Sequence, residues 1–370
     1  MKIAFVYDRI NKFGGAERVL LNLHKIWPSA QFFTAVYNQK LTSWTKSLKI
    51  KSSWLQKLPL AKTFHELYPW LTPLAFESFN FDGYDVVISV TSAEAKAIIT
   101  KPSTLHICYC LTPTRYLWSH YDQYQKLPGL GWFNSLGRNF FNLSKNYLRR
   151  VDLINSRRPD IYLAISQTVK DRIKKYYHQD SMVIYPPVDT QKFSYRPAQN
   201  YFLVVSRLTP YKKVDLAVKA CNLLKEQLII VGSGREKTNL RRLAGPTIKF
   251  AGTVSDTQLV HYYQNCRALI MPQEEDFGIV SVEAQASGKP VIAYQKGGAT
   301  ETIISGESGV FFQDQTVDSL GFAMKQFNSC LWDRKTIQSQ AQKFDNQIFI
   351  KNLKNFVEAR CLSQNFPLKP

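Results

Sequence analysis

Short apolar runs bounded by turn residues alternate with amphipathic stretches along the first half of this chain. KIAFVY leads into Gly14-Gly15 and AERVLLNLHKIW, DVVISV into SAEAKAII, and IYLAIS into QTVKDRIKKYY, while LHICYC stands between turns. The short runs predict strands, the 3.6-residue spacing predicts helices, and their alternation predicts parallel strands joined by crossover helices. IYPPVDTQKFSYRPAQN at 184–200 breaks the pattern. Proline continues neither a helix nor a central strand, so this stretch predicts a linker. Beyond it the alternation restarts: YFLVVS and VDLAVKACNLL, QLIIVGSG and EKTNLRRLA, IKFAGTV and SDTQLVHYYQNC, RALIMP and GIVSVEAQAS, then PVIAYQ. The expectation is α/β throughout, with a domain over 1–196, a second over 197–345, and a helix in 346–370 packing near the interdomain side. Two such domains facing each other would form a cleft lined by the carboxyl ends of their strands, where open parallel sheets bind ligands.

Composition narrows the class. A chain of 370 residues, 45% hydrophobic, can bury a core in each of two domains. No run reaches the ~18–20 apolar residues of a membrane span, and Asp8 and Arg9 interrupt the apolar N-terminal run, which is read as a strand and not a signal peptide. The cysteines at 108, 110, 221, 266, 330 and 361 lack metal-type pairing. Cys108 and Cys110 are read as facing opposite sides of one strand, which disfavours a bridge, and the chain is placed in a reducing cytosol.

The formal charge is +20, of which 27 Lys+Arg against 13 Asp+Glu put +14 before residue 197. Lys40, Lys46, Lys49, Lys51, Lys57 and Lys62 occupy a stretch without an acid, interleaved with Trp44 and Trp54. A second cluster joins Lys126, Arg138, Lys145, Arg149, Arg150, Arg157 and Arg158 to Trp132, Phe133, Phe140 and Phe141. Cations with interfacial aromatics fit an anionic membrane surface. Nucleic acid is not expected, because no helix-turn-helix, zinc-finger or RNP-type signature accompanies the charge.

The most informative stretch is EEDFGIVSVEAQASGKPVIAY at 274–294. Its pattern predicts a strand ending near Met271, a polar loop with Glu275, a helix from Ile279 to Ala286 carrying Glu283, and closure at Gly288 and Pro290. The N–H groups of Gly278, Ile279 and Val280 at the helix start suit a phosphate, and the two carboxylates suit hydroxyl groups on either side of it. Arg207, with Lys212 and Lys213, follows the strand YFLVVS and suits a diphosphate. Gly232 and Gly234 follow QLIIV, but Lys237 stands at the third glycine position of a dinucleotide fingerprint, so nicotinamide chemistry is a poor fit. Gly14 and Gly15 form a comparable loop in the first domain.

In this order the pieces resemble the retaining nucleotide-sugar glycosyltransferases of family four, which have the GT-B architecture. The resemblance covers most of residues 1–345 and rests on GGAERV, CYCLTPTRYLW, YPPVDTQKF, SRLTPYKKVDLAV, VGSG, GTVSD and above all EEDFGIVSVEAQASGKPVIAYQKGGATETI. The IYPPVD and QEEDFGIV wording is most similar to bacterial mannosyltransferases of surface-polysaccharide assembly. The resemblance implies that Glu275 contacts the transferred sugar, Glu283 the nucleotide ribose, and Arg207 and Lys212 the leaving diphosphate. It further implies that Phe277, Gly278, Ile279 and Val280 line the donor phosphates, with Gly232 and Gly234 on the donor side. Gly14 and Gly15 would approach from the other domain, and the main chain near Thr253 and Val254 would border the base. The implied substrates are a nucleotide sugar, GDP-mannose or a UDP-sugar, and a saccharide or lipid-linked acceptor such as those of lipopolysaccharide. No metal is implied, and the expected location is the inner face of the plasma membrane. Leu111 in CYCLTP departs from the pattern, because many relatives carry a His there that touches the donor. His106 is read as structural, Thr112, Thr114 and Arg115 as alternative polar contacts. The departure motivates the alternative of a catalytically weak, nucleotide-sugar-binding scaffold subunit.

Overall fold

The computed structural model describes residues 1–119, 121 and 134–362. The chain forms two compact units, one of residues 1–185 with 350–370 and one of residues 186–349. The change of unit falls inside the proline-containing stretch, ahead of the expected residue 196. The reason is visible in its hydrogen bonds: Val188 N donates to Phe344 O at 3.1 Å, and Thr190 Oγ1 to Asp345 Oδ2 at 2.5 Å, tying the segment after Tyr185 to the second unit.

The first unit holds seven parallel strands: β1 (Ile3–Tyr7), β2 (Gln31–Thr34), β3 (Lys49–Ser52), β4 (Val86–Thr91), β5 (Leu105–Cys110), β6 (Ile161–Ala164) and β7 (Ser181–Val183), in the order β3-β2-β1-β4-β5-β6-β7. Strands β1, β4 and β5 are buried at every position, as expected of a parallel sheet covered on both faces. Helices α1 (Gly15–Ile26), α2 (Leu71–Glu77), α3 (Asn134–Asn155) and α4 (Gln167–Tyr177) accompany them. Strand β3, with sequence KIKS and alternate residues exposed, is a short lysine-bearing edge whose period the apolar pattern does not reveal.

The expected helix over SAEAKAII is a single 3-10 turn, Ala95–Ala97. Asp8 captures this segment, accepting from Ser92 N at 2.8 Å, Ala95 N at 2.9 Å and Thr91 Oγ1 at 2.7 Å. Lys96, 2% exposed, is drawn inward to Asp152 at 2.6 Å. Tertiary partners thus override local helical spacing.

The second unit holds β8 (Phe202–Val205), β9 (Leu228–Val231), β10 (Ile248–Gly252), β11 (Leu269–Met271), β12 (Val291–Tyr294) and β13 (Gly309–Phe312), in the order β10-β9-β8-β11-β12-β13 and all parallel. Helices α5 (Val214–Leu224), α6 (Lys237–Leu243), α7 (Asp256–Asn265), α8 (Ile279–Ala286), α9 (Ala299–Thr302), α10 (Val317–Ser329) and α11 (Arg334–Gln342) complete it, and α12 (Asn346–Leu362) follows. Cys221, Leu228, Ile230 and Ile270 contribute to the core on one side of this sheet. Both sheets are Rossmann-like. Strand order reverses between β1 and β4 in one unit and between β8 and β11 in the other, and ligands bind outside the carboxyl ends of such switch points.

All six cysteines are unpaired thiols. Cys108 and Cys110 share one face of β5, because residues two apart on a strand point the same way, which corrects the expectation of opposite faces. Among the described residues no helix is long and apolar enough to cross a membrane.

Candidate functional site

At the switch point of the second unit, the loops after β8 and β11 meet. The first carries Arg207 and a 3-10 turn, Pro210–Lys212, after which Lys213 adopts a left-handed conformation at φ 52°. This turn directs the two adjacent lysines differently: Lys213 is exposed, whereas Lys212 is 7% exposed and its Nζ bonds Glu275 Oε1 in the second loop. Arg207 remains at the surface, its Nη2 donating to Tyr211 Oη at 2.6 Å. The Lys212 ammonium also lies 5.2 Å from the centre of the Tyr211 ring.

Glu275 is fixed through backbone and side chain. Its carbonyl accepts from Gly298 N at 2.8 Å, and its carboxylate takes a second bond at Oε1 from Gln273 Nε2 at 2.7 Å. None of the described residues donates to Oε2. Gln273 is 2% exposed and is absent from the expected site residues. Its place two residues before Glu275 in the same loop is the signal that could have found it.

The helix α8 starts and ends where the periodicity predicts. Gly278 caps it at φ 88° with no side-chain cap, so the first-turn N–H groups of Ile279 and Val280 face no capping side chain. The left-handed φ favours glycine at this position. Glu283 is 2% exposed and accepts from Tyr263 Oη of α7 at 2.8 Å, so one of its oxygens is already engaged inside the unit. Phe277 is 3% exposed and packs edge-on to Phe344 at 5.4 Å, a core position. Gly232 and Gly234 follow β9. A Cβ on Gly232 would stand 1.9 Å from Ser206 O, and one on Gly234 would stand 2.2 Å from Leu208 O. These glycines therefore let the β9 loop press on the main chain around Arg207. Thr253 is exposed after β10, with its hydroxyl 3.2 Å from Ser233 Oγ, and Val254 is half-buried. The structure thus gathers Arg207, Lys212, Glu275, Gly278, Glu283 and the paired glycines in one unit, whereas Gly14 and Gly15 belong to the other.

In the first unit, Gly14 caps α1 in an extended conformation, and Tyr7 Oη donates to the buried Glu17 at 2.7 Å. Leu111 is half-buried. His106 is fully buried with its Nε2 2.8 Å from Ser89 Oγ, a structural position. Thr114 is also structural, because its hydroxyl donates to Asp152 Oδ1 at 2.9 Å. Thr112 is buried with no partner for its hydroxyl among the described residues, and Arg115 is half-buried. Glu94 lies beyond the expected site residues. It accepts from Tyr116 Oη at 2.5 Å, and burial, with neighbouring Asp8, pushes its carboxyl up to about 7.

The first basic cluster is a solvent-facing surface: Lys40, Lys46, Lys49, Lys51, Lys57 and Lys62 are all exposed, as are Phe13, Leu41, Trp54, Leu60 and Phe64. The second differs from expectation. Arg149 donates through Nε to Leu117 O at 2.7 Å, and Arg158 pairs with Glu77 at 2.6 Å, so both serve the fold. Lys126, Trp132 and Phe133 lie outside the described residues, as do the side chains of Arg138, Phe140 and Phe141. Among the described residues no group of three His, Cys, Asp or Glu is disposed to hold a metal ion.

Residues 188–344 match the model of the family "Glycosyl transferases group 1". The match lies within the second unit. Over 131 residues the chain is 37% identical to the GDP-mannose-dependent monoacylated alpha-(1-6)-phosphatidylinositol monomannoside mannosyltransferase of Corynebacterium glutamicum, covering 31% of this chain and 34% of that one. It is 31% identical over 163 residues to the O-antigen chain mannosyltransferase RfbU of Salmonella typhimurium, covering 40% and 46%. The glycosyltransferase resemblance, with bacterial mannosyltransferases among the relatives, is therefore shown. The chain spans about a third to three-fifths of the length of the curated relatives it matches. The structure of Anabaena HepE in complex with UDP-glucose shares the fold with a TM-score of 0.70 at 19% identity, covering 97% of this chain and 100% of that one. Two Rossmann-like units are thus the architecture this chain shares with GT-B glycosyltransferase structures.

Proposed function

We propose that the chain is a retaining, metal-independent glycosyltransferase that moves a hexosyl group from a nucleotide sugar to a glycan or lipid-linked acceptor in cell-surface polysaccharide assembly. The observation that carries this reading is the Lys212–Glu275 pair at the β8/β11 switch point, beside the uncapped start of α8. A cation and helix-start N–H groups suit a diphosphate, while a carboxylate with one open oxygen suits a sugar hydroxyl. As the bond from the anomeric carbon to the phosphate oxygen lengthens, charge develops on the leaving diphosphate, where Lys212 and Arg207 stabilise it. The acceptor oxygen attacks from the same face and its proton passes to the departing phosphate oxygen, so configuration is retained. The mannosyltransferase names of the relatives support mannose from GDP-mannose, and the HepE complex supports a UDP-sugar as the other donor.

Incubation with UDP- and GDP-sugars and a membrane extract is expected to release nucleoside diphosphate, and Arg207→Ala is expected to cut that release about tenfold or more. Absence of turnover with every donor, or equal turnover in the variant, defeats the reading. Donor binding without turnover would favour the scaffold alternative that Leu111 motivates.

The acceptor is proposed to be reached at an anionic membrane on the cytoplasmic side, met by the exposed 40–62 lysines and by Leu41, Trp54, Leu60 and Phe64 beside them. Each lysine near such a surface contributes about 1 kcal/mol, so a few suffice for reversible docking. Vesicles containing phosphatidylglycerol should sediment the protein at low salt and release it at high salt. Equal binding to neutral phosphatidylcholine vesicles would refute the electrostatic account.

A further inference from the structure

Gln273 is buried at 2% exposure between two pinned points of the β11 loop: Pro272 O accepts from Gln315 Nε2 at 2.9 Å, and Glu275 O accepts from Gly298 N at 2.8 Å. Its Nε2 donates to Glu275 Oε1, while its own Oε1 is buried without a partner among the described residues. A buried acceptor left unsatisfied is costly, and an apolar side chain of similar volume would avoid that cost. The amide is therefore not a filler, and its one bond points to what it does.

Both donors to the Glu275 carboxylate, Lys212 Nζ and Gln273 Nε2, land on Oε1. Lys212 is a flexible cation whose proposed partner is the diphosphate, so its hold on Glu275 competes with the donor. The Gln273 amide is neutral and anchored in the core, and it has no such competing partner. We propose that Gln273 is a positioning residue for Glu275, its amide nitrogen holding Oε1 so that Oε2 is presented to the donor sugar when Lys212 turns to the diphosphate. This rests on the glycosyl-transfer reading and assigns a role to a residue outside its expected set.

The test is Gln273→Met, nearly isosteric and unable to donate, with two readouts. Turnover at saturating donor is expected to fall about 10-fold to 100-fold, the effect of a misplaced catalytic group. Affinity for the nucleoside diphosphate, which has no sugar to meet Glu275, is expected to stay within about twofold. In a Glu275→Ala background the same substitution is expected to bring no further loss, because the group it positions is gone. Unchanged turnover in Gln273→Met overturns the inference. So does a parallel fall in nucleoside diphosphate affinity, or an undiminished effect in the Glu275→Ala background. A wild-type protein without turnover overturns the glycosyl-transfer reading itself, a distinguishable outcome.

Discussion

Lys212→Ala is expected to lower nucleotide-sugar turnover on the order of 10²-fold to 10³-fold. The variant removes the buried cation proposed to meet the diphosphate and leaves Glu275 without its ionic partner. Glu275→Ala should reduce turnover by a similar factor while sparing nucleoside diphosphate binding, whereas Lys212→Ala should weaken both. Because the two side chains act as a unit, the double variant should lose little beyond the worse single one. Steady-state turnover with calorimetric binding of the nucleoside diphosphate separates these outcomes. Turnover of Lys212→Ala within about threefold of wild type would remove Lys212 from the reacting site.

Asp152→Ala is expected to destabilise the first unit by about 3–5 kcal/mol, because it leaves Lys96 as an uncompensated buried charge. Lys96 and Asp152 are 2% and 6% exposed and 2.6 Å apart. Burial alone works to lower the Lys96 pKa, but Asp152, joined by Glu94 and Cys108, more than offsets it, so the ammonium is held charged with a raised pKa. Asp152 also accepts from Thr114 Oγ1 and, at 2.7 Å, from Trp118 Nε1, binding the loop after β5 to α3. For a unit of this size the loss corresponds to a fall in Tm of about 10 °C. Differential scanning fluorimetry provides the measurement, and a Tm within about 2 °C of wild type would show that Lys96 finds another partner. Replacing both residues, Lys96→Met with Asp152→Leu, should recover part of the loss, since an apolar pair avoids the stranded charge.

These two sites differ in how far they are written locally. The β11 loop and α8 are legible because their signals are short-range: an apolar period from Ile279 to Ala286, with a glycine before it and Gly288 and Pro290 after it. The Lys96 site is illegible for the opposite reason. Its local spacing reads as an amphipathic helix, yet Asp8 and Asp152, 88 and 56 residues away, determine its conformation. The short edge strand β3 is missed because a lysine-bearing edge carries no continuous apolar run.

By itself the sequence determined the alternation of parallel strands and crossover helices, the bounds of α8, and the glycosyltransferase resemblance. Apolar periodicity and backbone-restricting residues act within a few positions, so these features need no knowledge of what lies across the fold. Only the tertiary structure decided that Lys212 and not Lys213 reaches Glu275, that Gln273 joins them, that Thr114 serves Asp152, and that Arg149 and Arg158 serve the fold. Each of those outcomes depends on which side chains meet after distant strands align, and a buried polar group takes whichever partner the packing brings within hydrogen-bonding distance.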